Sequence, residues 1–576
     1  MRERKPVEDV MASWDGARLF YRAWLPPAPT DKGLILVHRG HEHSGRWQGV
    51  VDALRLDDVA VFACDARGHG HSPGDRGAAE SVAVVVKDLD AFARHVSQRH
   101  AIPLDNVVVL AHSVGAVTAA AWVHDYAPPI RGLILGTPAF RVKLYVPLAR
   151  PLLRLRQKLL GPGYVRSYVK ARMLTHDPAE AEAYRTDPLI FRQIAVNILL
   201  DLHDTSTRLL RDASAIHVPV LVLGAGADWV VKLAAQREFF ARLRCPSKAM
   251  RVYPGMYHAI FHERGRAAPI ADAREFIVEL FQQRPDRASR LDADQHGVQQ
   301  AEYARLRRPG GRRFIPVKWG MRTVGRLSEG IRLGWRAGFD SGVMLDYVYE
   351  NRPRGVTPLG RLLDRAFLDS VGWCGIRQRR IHLEQALRDV ARELHASGRP
   401  VRILDIASGP GRYLLESLRA LAPIPAEAML RDYRAENVEA GRALARQLGL
   451  AHVTFMVGDA FDEHALAALE PRPTVAIVSG LYELFSDNAA ILRSLRGLAA
   501  CVEPGGHLIY TNQPYHPQQE FIARVLINRE GEPWVMRCRT QAEMDELVEA
   551  AGFTKTHTAI DRWGIFTVSV ARRSPR

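Results

Sequence analysis

Short apolar runs alternate with helix-like stretches through the first half of the chain: "GLILVH" from residue 33, "VAVFACD" from 59, "NVVVLAHS" from 106, "RGLILGTPA" from 131, "VPVLVLGAGAD" from 218 and "AMRVYPG" from 249. Runs this short and uniformly apolar are what strands covered by helices on both faces look like, and they predict an α/β fold on a mostly parallel sheet. Between "GTPA" and "VPVLVLG" the text reads as helices instead, an insertion over about residues 139–215 that would roof the carboxyl edge of the strands. A second series starts with "VRILDIASGPG" at 401 and continues through "AEAMLRDY" at 426, "HVTFMVGDA" at 452, "TVAIVSG" at 474 and "GGHLIYTN" at 505. It predicts a second parallel sheet with its own core. Residues 284–318 are charged, glycine-bearing and without apolar period, which reads as a linker, and 319–397 carry a helical pattern. The expected organisation is a first domain over 1–283, the linker over 284–318, a helical extension over 319–397 and a second domain over 398–576.

Length agrees, since 576 residues are too many for one core. The balance of 79 Lys and Arg against 63 Asp and Glu gives a net charge of +16, which favours an acidic partner such as nucleic acid, anionic lipid or a phosphorylated substrate. Five cysteines, at 64, 245, 374, 501 and 538, have no C-x-x-C pair or metal-like spacing and read as reduced thiols. The amino-terminal text lacks a signal-peptide core, and no run approaches the roughly 18 apolar residues of a spanning helix, so a cytoplasmic protein is expected, able to sit on a membrane face.

An acyl-transfer nucleophile needs a base to take its proton, an acid to orient that base and N–H donors for the developing oxyanion. "LAHSVGA" places Ser113 at a strand-to-helix junction between the small residues Ala111 and Gly115. Asp228 ends the strand "VPVLVLGAGAD" and His258 follows "AMRVYPG", so the three residue types fall in hydrolase chain order at ends of strands on one sheet edge. "LILVHRGHEHSGRW", followed by "VAVFACDARGHGHSPGDRG", resembles the serine hydrolases of the monoacylglycerol lipase and lysophospholipase group, which carry H-G-x-G-E-H-S-G-R and D-x-x-G-H-G-x-S segments there. "EAYRTDPLI", "GAGADWVV" and "GMYHAIFHE" extend the resemblance over roughly residues 12–283. It implies an α/β-hydrolase fold with a helical cap, Ser113 as nucleophile, His258 as general base, Asp228 as its orienter, and the amides of Gly40 and Val114 as oxyanion hole.

Arg39 departs from that pattern, standing where the group has glycine. A cation there obstructs the hole, binds an anionic head group or points to solvent, and the sequence leaves all three open. His38, His41 and His43 with Asp65, His69 and His71 offer a rival metal site, although H-x-x-H-x-H lacks the acid of a metallohydrolase motif. In the cap, "FRVKLYVPLARPLLRLRQKLLG" interleaves Arg141, Lys143, Arg150, Arg154, Arg156 and Lys158 with leucines and no acid, a pattern suited to anionic membrane surfaces and equally to a roof over an acyl pocket. Pro147 and Pro151 confine the helical part to its second half.

In the second series, Ala407, Gly409 and Gly411 form a small-residue turn between strand and helix, where a backbone can approach a ligand and helix N–H groups are free. Asp432 near the end of the next strand suits ribose hydroxyls, and Asp459 after the third suits an adenine amino group. "LDIASGPGR", which includes Asp405, with Asp432, "GDAF" and "VEPGGHLIY", resembles class I S-adenosylmethionine-dependent methyltransferases, Ala407 replacing the usual first glycine. That implies S-adenosyl-L-methionine as cofactor and a Rossmann-like fold, with NAD as the runner-up, for which the G-x-G-x-x-G fingerprint is missing. "TNQPYHPQQ" makes Tyr515 and His516 substrate-loop candidates, and the aromatic, glycine-rich text 328–355 reads as a cover for the pocket.

The leading expectation is a bifunctional enzyme of lipid metabolism, a serine ester hydrolase fused to a methyltransferase. Two others stand beside it: a methyltransferase with a non-catalytic lipid-binding first domain, and a nucleic-acid methyltransferase. The last is disfavoured because the basic residues are spread rather than gathered with stacking aromatics.

Overall fold

The computed structural model describes residues 4–143, 145, 148–283, 289–421 and 424–574. The chain divides into two units, Met1–Ala288 and Ser289–Arg576.

In the first unit, strands β1 (Val7–Ala12), β2 (Arg18–Trp24), β3 (Gly33–Val37), β4 (Ala60–Cys64), β5 (Val107–His112) and β6 (Gly132–Gly136) precede the cap. The cap carries the short antiparallel pair β7 (Tyr164–Arg166) and β8 (Gln193–Ala195), and β9 (Val220–Ala225) and β10 (Lys248–Tyr253) follow it. The main sheet runs β1-β2-β4-β3-β5-β6-β9-β10 and is parallel from β4 onward. The six apolar runs read from the sequence are β3, β4, β5, β6, β9 and β10. Every residue of β5, β6 and β9 is buried, as expected of strands covered on both faces. β1 and β2 add an antiparallel edge.

The second unit contains β11 (Val401–Asp405), β12 (Ala426–Asp432), β13 (Val453–Val457), β14 (Val475–Val478), β15 (His507–Asn512), β16 (Phe553–Ile560) and β17 (Thr567–Arg573). Their order is β13-β12-β11-β14-β15-β17-β16, with β17 antiparallel to both its neighbours. The strand order reverses at β11–β14, the switch point where ligands bind in open α/β sheets. Among the described residues six α-helices precede the sheet, at Val298–Arg307, Ile315–Arg322, Glu329–Ala337, Gly342–Glu350, Pro358–Leu368 and Val371–Ala396. The fully buried Asp364 fastens four segments of this extension, accepting from Ser328 Oγ at 2.5 Å, Gly330 N at 2.8 Å, Arg354 N at 2.8 Å and the Tyr347 hydroxyl.

The linker reading of 284–318 needs correction. Residues 284–288 lie outside the described residues, but from Ser289 onward the chain is built into the second unit. Ser289 Oγ and Arg290 N donate to Glu546 at 2.7 and 3.0 Å, Leu306 is buried in the helix Val298–Arg307, and Arg524 donates to the Leu306 carbonyl at 3.0 Å. The charges that suggested a solvated tether are answered by acids and carbonyls distant in sequence.

Candidate active sites

Ser113 stands between β5 and the helix Val114–Tyr126 at φ 55°, ψ −114°, a strained backbone for a residue with a side chain. Its amide donates to the Gly136 carbonyl at 2.8 Å and its carbonyl accepts from Ala139 N at 3.1 Å, so neighbouring strands hold the turn. Gly115 is required: a Cβ there would lie 2.3 Å from the His38 carbonyl oxygen. Ala111, buried between Val37 of β3 and Leu135 of β6, fits without a glycine.

The structure brings Ser113, His258 and Asp228 into one hydrogen-bonded line. His258 Nε2 is 2.7 Å from Ser113 Oγ and Nδ1 is 2.8 Å from Asp228 Oδ2. Asp228 Oδ1 accepts the amides of Val230 and Val231 at 2.7 and 2.9 Å, and these donors with His258 outweigh burial and hold its carboxyl below the usual range. An imidazole so oriented can take the hydroxyl proton during attack on an acyl carbon. The His258 carbonyl is itself fixed by Thr137 Oγ1 at 3.0 Å and by His112 Nε2, which donates at 3.1 Å. Sequence reasoning missed this pair, although His112 directly precedes Ser113.

Gly40 lies against Val114, a Cβ on it falling 3.3 Å from Val114 Cγ2. Val114 opens its helix, where an N–H has no acceptor within the helix. Gly40 thus packs against the residue that follows the serine. Arg39 is not solvent-exposed, and its charge is already answered by a carboxylate, against the substrate candidacy given to it. It is buried, Nη2 donates to Glu42 Oε1 at 2.7 Å, and its guanidinium lies 4.9 Å from the Tyr184 ring of the cap. Arg39 outweighs burial and holds the Glu42 carboxyl well below its ordinary value. The second glycine of the family pattern falls on His41, held at φ 69°.

The histidine-rich segments serve the fold, against the metal reading. His38 Nε2 accepts from Ala66 N at 2.9 Å while Nδ1 donates to the Arg39 carbonyl at 2.8 Å. His43 accepts from Gly45 N and meets Asp187 of the cap, and Asp65 accepts the amides of Ser44 and His71. Among the described residues no three His, Cys, Asp or Glu gather to hold a metal.

The cap helix Ala149–Leu160 has no buried residue, and Leu152, Leu155 and Leu159 are exposed beside Arg150, Arg154 and Lys158. Pro151 falls inside the helix's first turn, where proline is tolerated; Pro147 lies outside the described residues. Beneath this helix a cavity of about 550 Å³ is lined by Phe140, Leu153, Leu199 and Leu202, with Arg141 and Lys232 at its wall.

In the second unit a cavity of about 450 Å³ opens at the carboxyl end of β11, β12 and β14. Ala407, Gly409, Gly411 and Asp432 line it, as does His516. Gly409 and Gly411 have φ of 57° and 73°, and a Cβ on Gly411 would lie 2.2 Å from Leu430 Cδ2. Asp432 Oδ2 accepts Gly409 N at 2.9 Å, while Oδ1 accepts Arg434 N and Asn437 Nδ2, each at 2.9 Å. Burial pulls His516 down to about 4, and its Nδ1 accepts from Gln518 N, so the proton sits on Nε2. Residues 328–355 reach the wall through Ile331, Phe339, Leu345 and Tyr349.

Three assignments are corrected. Asp405 is fully buried beneath the loop, accepting Ala407 N at 3.2 Å and the Tyr413 hydroxyl, so it braces the turn instead of facing the cavity. Asp459 is exposed, bonded to Phe461 N at 2.9 Å, and is not on the wall; neither is Tyr515. The residues sequence reasoning missed are Arg379, on the helix Val371–Ala396, and Glu483, in the turn after β14.

Residues 273–573, just over half the chain, match a family described as "Putative methyltransferase", and residues 28–265 match one described as "Serine aminopeptidase, S33". Over 580 residues the chain is 49% identical to uncharacterized protein YnbC of Escherichia coli (strain K12), covering 99% of each. It is 27% identical to monoacylglycerol lipase of Mycolicibacterium smegmatis, covering 47% of this chain and 96% of that one. Human monoglyceride lipase is 30% identical over 45% of this chain and 86% of its own.

Proposed function

From a chain that belongs to the family described as "Putative methyltransferase" and whose first half is a hydrolase-like domain resembling monoglyceride lipases, we propose a bifunctional enzyme: a serine carboxylic-ester hydrolase joined to an S-adenosylmethionine-dependent methyltransferase. The observation that carries the hydrolase is the continuous line from Ser113 Oγ through His258 to Asp228, at 2.7 and 2.8 Å. Gly40 N and Val114 N are the proposed oxyanion donors. The resemblance of the first half to monoglyceride lipases favours a lipid-like ester over a polar one. Monoacylglycerol hydrolysis and labelling by a fluorophosphonate should both vanish in Ser113→Ala; persistence of either refutes the assignment.

For the second unit the residues fit S-adenosyl-L-methionine. A cavity of about 450 Å³ is in the range of small-molecule sites, Gly409 and Gly411 keep side chains from the loop, and Asp432 Oδ2, which accepts Gly409 N alone, can accept a further bond from a ribose hydroxyl. When bound, that cofactor supplies an electrophilic methyl group. Calorimetry should show its binding to the full chain, weakened in Asp432→Ala.

The exposed leucines and cations of Ala149–Leu160 support peripheral contact with anionic membrane. No helix among the described residues is long and apolar enough to cross one.

A further inference from the structure

We propose that the acceptor taken into the second unit's cavity is an apolar amine: Glu483 holds its ammonium group and takes one proton from it, which frees the nitrogen lone pair to bond the methyl group as the methyl–sulfur bond breaks. The proposal rests on the methyl-transfer reading for the use of the cavity. Glu483 is buried in the turn Tyr482–Leu484 that follows β14, on the cavity wall. Its Oε1 is engaged, accepting Thr511 Oγ1 at 2.6 Å and lying 3.7 Å from Arg379 Nη1. Its Oε2 is buried with no protein donor. A buried acceptor left unpaired bears the desolvation of its lone pairs uncompensated, so a ligand that donates there recovers what folding gave up.

The remaining wall states what else that ligand is. Phe339, Phe367, Trp373, Trp534 and Met536 make it apolar and largely aromatic. Aromatic faces are negative and attract a cation, and a carboxylate does so more strongly. An alcohol donates to Oε2 without those charge terms. A fatty carboxylate reaches Arg379 only by approaching Glu483, and the Arg379 guanidinium is already 5.1 Å from the Phe566 ring. The wall's other cations, Arg412 and Arg529, stand 3.5 and 3.1 Å from the carboxylates of Asp346 and Asp340, and neutral His516 adds none to oppose an amine.

The test titrates the full chain with dodecylamine, dodecanol and dodecanoate below their micelle concentrations, by calorimetry, in wild type and Glu483→Gln, and separately with S-adenosylhomocysteine. Wild type should bind dodecylamine at least about tenfold tighter than dodecanol, and the variant should lose that preference while binding S-adenosylhomocysteine unchanged. The difference between the two chains isolates the second unit's share from any uptake by the first. The wild-type ranking stands apart from how the variant folds. Equal binding of the three probes, or preference for dodecanoate, overturns the proposal. So does a variant that keeps the amine preference and loses S-adenosylhomocysteine, which would assign Glu483 to the cofactor. A wild type that prefers the amine but binds no S-adenosylhomocysteine sinks the methyl-transfer reading and leaves the amine site standing.

Discussion

Glu42→Gln decides whether the cation beside the oxyanion loop is a fault or a fastening. The Arg39 and Glu42 side chains are 5% and 3% exposed and bonded at 2.7 Å, and Arg46 Nε stands 3.5 Å from the same carboxylate oxygen. Removing one partner of such a pair leaves an uncompensated buried charge and costs about 3–5 kcal/mol, whereas replacing both by apolar residues of similar volume is close to neutral. With a urea slope of about 3 kcal/mol/M for a unit this size, the single variant should lose about 1 to 1.7 M in midpoint and Arg39→Met/Glu42→Leu much less. The readout is the fraction of chains whose Ser113 still takes a fluorophosphonate label as urea rises, which follows the first unit alone and keeps the second unit's melt out of the curve. The donors at Gly40 and Val114 are backbone, so the double variant should keep kcat/KM for ester hydrolysis within a few-fold of wild type. If Glu42→Gln melts with wild type, or the double variant falls as far as the single, the pair does not fasten this loop. A double variant that folds and hydrolyses markedly faster would restore the view that Arg39 obstructs the hole.

Asp228→Asn should turn an amide N–H toward His258 Nδ1, impose the wrong tautomer and cut ester turnover by about 10⁴-fold with little change in KM. Asp432→Ala removes acceptors for Gly409 N, Arg434 N and Asn437 as well as for the ribose, and should weaken S-adenosylhomocysteine binding by about 10- to 100-fold in calorimetry while leaving hydrolysis intact. Burial lifts the Asp405 carboxyl to about 7 against 3.8 for the free group, so between those values the folded chain holds a proton the unfolded chain has lost, and this residue's contribution to stability falls as pH rises. Asp405→Asn should flatten that dependence, gaining up to about 4 kcal/mol on wild type between pH 4 and pH 8 in urea melts of the second unit; parallel pH profiles would count against a buried, protonating carboxyl. Flotation with anionic vesicles should drop when Arg150, Arg154, Arg156 and Lys158 are neutralised, and equal flotation refutes membrane contact through this helix.

What the sequence shows and hides follows from the range of each interaction. β3, β5, β6 and β9 are legible because burial on both faces writes a continuous apolar run. The edge pair β1 and β2 is not, because a strand with one wet face reads "VEDVMA" or "RLFYRAW", alternating too loosely to stand out from a loop. Ser113, Asp228 and His258 are legible because chain order and strand ends constrain them together. Arg39 was ambiguous although Glu42 is three residues away, since the burial that makes the pair obligatory comes from Tyr184 in the cap.

The second unit shows the opposite error. An acid at a strand end reads as a ligand-binding residue, and that logic served Asp432, whose carboxylate lines the cavity. Applied to Asp405 it failed, because Tyr413, the second residue of the next helix, claims the carboxyl. Glu483 carries no such positional signal: its meaning depends on Thr511 from β15 and Arg379 from a helix before the sheet. A motif therefore points to the turn at a strand end, whose backbone geometry is written locally. The residues that choose the acceptor are assembled from three segments far apart in the chain, and only their geometry tells one unpaired oxygen from a satisfied one.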